Sequence, residues 1–486
     1  MTIQFSEYNI QRLFGHEAAE DEDPARLREY YFKSSTYDQV VAGGLPLRIL
    51  VGHKGIGKSA LFQIAMAEDI EAHRLTLSVK PDDILGIAGD TSDFMNVLRA
   101  WKVGLTELLA SKALTGLGVA DEGWRDRLKS YGGRLVDFLR HTLESPVSYV
   151  DLTATKTAIS KRFLATSEIT IYIDDLDRGW QSRKQDIERI SALLNAVRDI
   201  ANDNRSLRFR VALRSDVYFL VRTSDESTDK TEGSVIWQSW TNHEIFALLI
   251  KRINTFLGGN RPINDTLRDQ SQGALATYLQ PVFEPRFLGM GNWSNIPTHR
   301  MMLSLIRKRP RDLVKLCTLA GRDAKVLGDH MIGTKNFNRV LENYSQGRIQ
   351  DTINEFKSEL PDIERLLFGM RPSKREQTTR QGYFYTTTAL LSKIGNIREQ
   401  GAFSFSGRRD DADSKELANF LYKINFITAR KDVGEFTERK YFEESRYLQS
   451  RFADFGYDWE IHPAYRWALQ PNDILNIFLQ IKPSSE

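Results

Sequence analysis

The residues best equipped for chemistry lie in "RILVGHKGIGKSALFQIA", Arg48 to Ala65. Gly52, Gly57, Lys58 and Ser59 fit G-x-x-x-x-G-K-[ST], a loop whose backbone N–H groups turn inward and cradle phosphates. His53, Lys54, Gly55 and Ile56 fill the loop, and Ala60 continues the stretch expected to hold the nucleotide. Lys58 is placed to reach the β- and γ-phosphates, and the Ser59 hydroxyl to ligate Mg²⁺. A second stretch, "SEITIYIDDLDRGW" (Ser167 to Trp180), supplies the carboxylates that such a loop needs. Asp174 is placed to hold the hydrated Mg²⁺ and Asp175 to polarise the attacking water. Glu is more usual at the second position in fast ATPases, so Asp175 points to slow turnover. Each stretch has a bland alternative, a glycine-rich turn or a solvated acidic turn; their pairing in one chain favours the chemical reading.

The elements that must position these residues are also visible. "LRILV" reads as a buried strand, and "SALFQIAMAEDIEA" has helical spacing. Ile169 to Ile173 are β-branched or aromatic and read as a second buried strand. About 115 residues separate Ser59 from Asp174, room for a further strand, His73 to Val79, between the two motif strands, the layout of the additional-strand ATPases. A third strand, Leu207 to Phe219, follows the helical "DIERISALLNAVRDIAND" and carries Arg214 at or near its end. There Arg214 can sense the γ-phosphate or pair with Asp216. Val235 to Trp237 reads as a short last strand. Thr241 and Glu244 then form a capping box, with Trp240 and Ile245 as hydrophobic staple, for a helix that opens a lid. Near the lid's end, "RKRPRDLVKLC" puts Pro310 in the first turn of a helix, with Arg311 projecting from that turn. Arg300 to Arg322 holds seven Lys or Arg residues against one acid, Asp312. That is either a solvated basic helix or a surface for a phosphate backbone.

Composition narrows the class. At 486 residues the chain has room for about three domains. Charged residues make up 27% and hydrophobic ones 41%, as in ordinary globular chains, and a net charge of +3 does not announce nucleic acid. No run of ~18 apolar residues occurs, and "MTIQFSEYNI" lacks a basic region followed by an apolar one, so neither a membrane span nor a signal peptide is expected. The single cysteine, Cys317, excludes an internal disulfide framework and fits a reducing, cytoplasmic setting. Neither Cys nor the eight His show metal-ligand spacing. The lack of an N-K-x-D guanine-reading motif favours ATP over GTP, and the lack of an LSGGQ-like signature argues against an ABC-type dimer.

Taken in order, "LFGHEAAEDE" (Leu13 to Glu22), the phosphate loop, "IDDLDR" (Ile173 to Arg178), "ALRSD" (Ala212 to Asp216) and "RPRDL" (Arg309 to Leu313) resemble a group of bacterial P-loop ATPases. These are related to the STAND, KAP and origin-recognition branch of AAA+ proteins, many of them in anti-phage defence systems beside a separate effector such as a nuclease. The resemblance covers roughly residues 10 to 330. It implies that Gly15 lies near the adenine or ribose, that Arg214 is the first sensor and Arg311 the second, and that Pro310 helps hold the base. It makes Arg178 a candidate arginine finger across a subunit boundary, with an intramolecular pair to Asp174 or Asp177 as the alternative.

Beyond about residue 335 the stretch up to Met370 reads as helical, and Arg371 to Gly382 and Phe405 to Lys415 as loops. "KELANFLYKINFITARKD" is a helix running into a strand, and "DWEIHPAYRWAL" a last strand and helix. A helix followed by strands around a turn suggests a winged-helix domain, which binds DNA or packs on neighbours. His462 reads as a packed structural histidine. The expected architecture is α/β: an additional-strand, AAA+-like P-loop core over residues 1–238, a helical lid over 239–335, and a C-terminal helical and winged-helix-like domain over 336–486. The expected function is an ATP-binding, slowly hydrolysing switch or scaffold that forms homo-oligomers and controls a separate effector protein. The alternatives are a DNA-dependent motor or loader, contacting DNA through the lid or C-terminal domain, and a non-hydrolysing oligomer cemented by nucleotide.

Overall fold

The computed structural model describes residues 3–41, 45–87, 93–119, 123–145, 153–180, 183–224, 231–259, 267, 269–378, 382–434, 436–445, 456–471 and 474–484. The chain divides into two compact units, one of Met1–Ser34, Lys54–Gly57 and Ser239–Glu486, the other of Ser35–His53 and Lys58–Gln238.

The second unit is built on five parallel strands: β1 (Leu47–Gly52), β2 (Leu75–Val79), β3 (Ile169–Ile173), β4 (Leu207–Arg214) and β5 (Val235–Trp237). Their order across the sheet is β2-β3-β4-β1-β5. All five residues of β3 are buried, as a continuous Val/Ile-type run in a parallel sheet covered on both faces should be. Helices Phe94–Leu117 and Lys184–Asp203 contribute Trp101, Leu105 and Leu109, and Ile190, Leu193 and Val197, to the core around it. The strand expected at His73 to Val79 forms as β2, but it takes the sheet edge beside β3. The strand that lies between the phosphate-loop strand β1 and the carboxylate strand β3 is β4. This is the additional-strand arrangement of an AAA+-like αβα core.

Helices Glu7–Phe14, Asn242–Phe256, Pro310–Leu327 and Thr334–Phe356 lie in the first unit, with a small antiparallel pair, β6 (Arg286–Phe287) and β7 (Ile296–Pro297). Thr241 and Glu244 close the expected capping box at 2.9 and 3.0 Å, over a buried Trp240 and Ile245. An ion-paired triad is buried among these helices. Asp312 accepts from Arg307 at 2.7 and 2.9 Å and from Arg348 at 2.7 Å, and Arg307 also donates to Thr352 and to the Tyr465 hydroxyl. Burial alone would raise the Asp312 carboxyl, but the Arg307 and Arg348 guanidiniums hold it well below the usual carboxylate range.

The same unit contains the winged-helix-like part: strand β8 (Phe384–Tyr385), helices Thr387–Glu399 and Ser414–Lys423, then strands β9 (Ile427–Val433), β10 (Phe436–Lys440) and β11 (Asp458–Ile461). They pair antiparallel in the order β10-β9-β11-β8, so β11 is inserted between the hairpin and β8. Residues 379–381 of the expected Arg371–Gly382 loop, and residue 435 at the wing, lie outside the described residues. The stretches expected as lid and as C-terminal domain thus fall in one unit. No helix among the described residues is long and apolar enough to cross a membrane.

Candidate functional site

Sheet register sets the first part of the site. In the parallel β1–β4 pair Gly52 stands beside Arg214, and Ile173 at the end of β3 stands beside Val211. The carboxyl ends of β1, β3 and β4 therefore bring together the start of the phosphate loop, Asp174 and Arg214. In open parallel sheets this is where ligands bind. The helix that follows the loop runs Lys58–Glu71, so Lys58, Ser59 and Ala60 form its first turn, where the helix dipole favours an anion.

Lys58 folds back over its own loop, its Nζ donating to the carbonyls of Gly52 at 2.9 Å and His53 at 3.2 Å. The ammonium is thus held over the strand end rather than swung into solvent. His53 is buried, and its Nδ1 lies 3.0 Å from the buried Ser215 Oγ, which fixes the loop's entry to the residue after β4. Asp174 is tied to the end of β2 through its N–H and the Val79 carbonyl, 3.3 Å. Its carboxylate accepts from the Asp175 N–H at 2.9 Å. Asp175 is exposed and has a left-handed backbone, φ 63°, which Asp tolerates better than most residues.

Arg214 takes the ion-paired alternative. Two of its nitrogens meet the Asp216 carboxylate at 3.0 and 2.8 Å, and a third donates to Asp177 at 3.1 Å. Arg178 is not paired with Asp174 or Asp177; its guanidinium lies 3.9 Å from Asp82, and its side chain is 69% exposed.

The loop's apex, Lys54–Gly57, belongs with the first unit, and there it meets the other group of expected site residues. Gly55 has φ 77°, and a Cβ on it would lie 3.0 Å from the Arg311 Cβ and Cδ, so any other residue is strained there. Pro310 opens the Pro310–Leu327 helix at N1, and the Arg311 N–H reaches the Gly55 carbonyl at 3.4 Å. Arg311 Nε donates to the Glu17 carbonyl at 3.0 Å, linking the apex to the Leu13–Glu22 box. Gly15 terminates the Glu7–Phe14 helix at φ 74°, and a Cβ there would lie 2.8 Å from the Tyr30 hydroxyl and 2.9 Å from Arg252 Nη1. Around it, the buried Glu22 accepts from the His16 N–H (2.9 Å) and the Tyr30 hydroxyl (2.6 Å). Arg252 stacks 4.6 Å over the Tyr30 ring, and burial lowers its pKa.

Sequence reasoning missed several side chains that hold this apex. Trp240 Nε1 donates to the Ile56 carbonyl at 2.8 Å, while Arg309 and Glu355 bind the Lys54 backbone. Trp240 had a local signal, the staple, but Glu355 stands 301 residues from Lys54 and had none.

The donor set fits a magnesium nucleotide. Among the described residues no group of three or more His, Cys, Asp or Glu could hold a metal alone. A hydroxyl and one carboxylate suit Mg²⁺, which keeps most of its octahedral shell from water and phosphates.

Five of the seven cations in the lid's basic run pair with carboxylates of this chain. Arg307 and Arg309 are buried against Asp312 and Glu355; Lys308 pairs with Glu444, Arg311 bonds the Glu17 carbonyl and Lys315 its carboxylate, and Arg322 pairs with Glu7. Arg300 covers the Phe436 ring at 4.6 Å. In the helix before β9, Lys423 is buried against Glu359 at 2.7 Å. His462 is fully buried, its Nδ1 accepting from the Ala464 N–H (3.1 Å) and its Nε2 lying 2.8 Å from the Tyr441 hydroxyl.

No protein-family model matches the chain, and no curated protein matches it. Among solved structures it is similar to the ORC2 protein of Aeropyrum pernix in ADPNP–ADP complexes, at 10% identity and a TM-score of 0.39 over 93% of this chain and 92% of that one. It is also similar to Cdc6p of Pyrobaculum aerophilum, at 12% and 0.30 over 98% and 97%, and to the Aeropyrum pernix ORC1 protein in complex with DNA, at 11% and 0.34 over 94% and 97%. Likenesses this loose assign no residue; the fold stands on the strand order.

Proposed function

We propose that the chain is an ATP-binding, slowly hydrolysing switch or scaffold that assembles with copies of itself and controls a separate effector protein. One observation carries the nucleotide reading: the ends of β1, β3 and β4 gather the phosphate loop, Asp174 and Arg214, and Lys58 lies over the loop carbonyls. Lys58 and the first-turn N–H groups of its helix would take the phosphate charge, and Ser59 and Asp174 would hold Mg²⁺, which neutralises charge developing on the transferred group. Asp175 would orient water. Its short side chain and exposed position support slow turnover. Arg311, fixed through Nε with its stem over Gly55, would report the γ-phosphate to the Pro310–Leu327 helix, and Gly15 and Pro310 would lie against the base. Arg214, held by two carboxylates, would sense phosphate only by exchanging one of them. The exposed Arg178 supports a finger that acts on a neighbouring subunit. The setting in bacterial anti-phage defence is supported by the motif resemblance alone, and a cytoplasmic one by the single cysteine, Cys317.

The test is ATP turnover by the purified protein with and without double-stranded DNA, with Asp175→Ala alongside. Slow turnover, indifferent to DNA and lost in Asp175→Ala while nucleotide still binds, is the expected result. Turnover raised many-fold by DNA would replace this reading with a DNA-dependent motor. Binding with no turnover in the wild type would leave a nucleotide-cemented scaffold.

A further inference from the structure

We propose that Glu355 and Arg309 are positioning residues, a latch that sets the shape of the phosphate-loop apex and links it to the C-terminal part of the chain. The inference rests on the nucleotide reading of the loop. Both backbone polar groups of Lys54 are taken by side chains distant in sequence: its N–H donates to Glu355 Oε1 at 3.1 Å, and its carbonyl accepts from Arg309 Nη1 at 3.3 Å. The two side chains also meet each other, Arg309 Nη1 to Glu355 Oε2 at 3.3 Å, with both side chains almost fully buried. Arg309 Nε and Nη2 have no hydrogen-bond partner among the described residues. Leaving two buried donors unmatched is costly, and a merely structural position would be expected to avoid it.

An unlatched loop apex would have to be ordered when nucleotide arrives, so holding Lys54 beforehand lowers the ordering cost of binding. The latch also has somewhere to transmit to. Glu355 is near the end of the Thr334–Phe356 helix, one turn after Thr352, whose hydroxyl lies 3.0 Å from the Tyr465 hydroxyl. One turn earlier Arg348 binds Asp312. A change in loop shape at Lys54 therefore pulls on a helix face already bonded to the C-terminal Pro463–Tyr465 turn.

The test compares Glu355→Ala, Glu355→Gln and the double variant Glu355→Leu/Arg309→Met with wild type and Lys58→Ala. For each, Mg-ATP affinity is measured by calorimetry and amide exchange of the 334–356 helix with and without nucleotide. Gln keeps an acceptor for the Lys54 N–H. The double variant removes both charges together, so it folds where a lone buried arginine does not. We expect nucleotide to slow exchange in this helix in the wild type. Glu355→Ala and the double variant should lose that response and bind on the order of tenfold more weakly, with Glu355→Gln largely restored. Wild-type affinity and exchange response in the double variant would overturn the latch, as would Gln failing equally with Ala. If the wild type itself binds no Mg-ATP, the nucleotide reading falls and takes the latch with it; the other two results remove the latch alone.

Discussion

Replacing Asp312 by Asn should destabilise the first unit more than any surface change could. The Asp312 side chain is 1% exposed, and those of Arg307 and Arg348 are 2% exposed each, so the substitution leaves two guanidiniums buried without their shared anion. Breaking one buried pair in this way costs about 3–5 kcal/mol. With an m-value of ~3 kcal/mol per molar urea, the midpoint should fall by about 1–1.7 M. The sign with pH is also fixed. The Asp312 carboxyl is held below its unfolded value of about 3.9, so its contribution is fully present above that pH and is lost as pH falls through the folded value. Urea unfolding at pH 7.5, followed by far-UV circular dichroism, makes the comparison. A triple variant, Arg307→Met/Asp312→Leu/Arg348→Met, separates charge from packing, because it removes all three charges and should recover most of the loss. A midpoint for Asp312→Asn within about 0.2 M of wild type, the range of ordinary surface substitutions, would refute the reasoning.

Other outcomes follow from the same buried groups. His462 is held neutral, since burial and then the Arg439 and Arg307 charges push its pKa well below the usual value. Stability should therefore be level above about pH 6.5 and fall below it by up to ~1.4 kcal/mol per pH unit. A His462→Gln variant should flatten that slope in urea midpoints between pH 7.5 and 5.5, and an unchanged slope would contradict it. Cys317 is fully buried, 3.9 Å from the Met302 sulfur, with its thiol pKa raised by burial. It should stay unmodified by a thiol-specific disulfide reagent in the native protein and react at once in denaturant. Because five of the lid's seven cations pair with carboxylates of this chain, double-stranded DNA should bind no more tightly than the non-specific range of about 10⁻⁴–10⁻⁶ M; submicromolar binding abolished by Arg322→Ala would show the opposite.

Much of this was legible because it is local. The strand before the phosphate loop, the first-turn lysine, the capping box at Thr241 and Glu244, and Pro310 at N1 each follow from residues within a few positions of one another. What depended on distant partners was not legible. The order of strands placed β4, not β2, between β1 and β3, and no short window encodes that choice. Seven cations against one acid from Arg300 to Arg322 suggested a phosphate surface, yet Glu7, Glu17, Glu355 and Glu444 pair with four of them from far along the chain. Arg214 could be read equally as sensor or ion pair until Asp177 and Asp216 were seen on either side of its guanidinium. Local charge counts cannot find such pairs, because a carboxylate 37 residues away carries no pattern.

The most direct measurement is calorimetric titration of Mg-ATP into wild type and Lys58→Ala. One saturable site per chain in the wild type, weakened roughly ten- to hundredfold by loss of the charge-assisted lysine contact, is the predicted result. Equal affinity in the two proteins, or no binding by the wild type, would contradict the assignment of this loop as a nucleotide site.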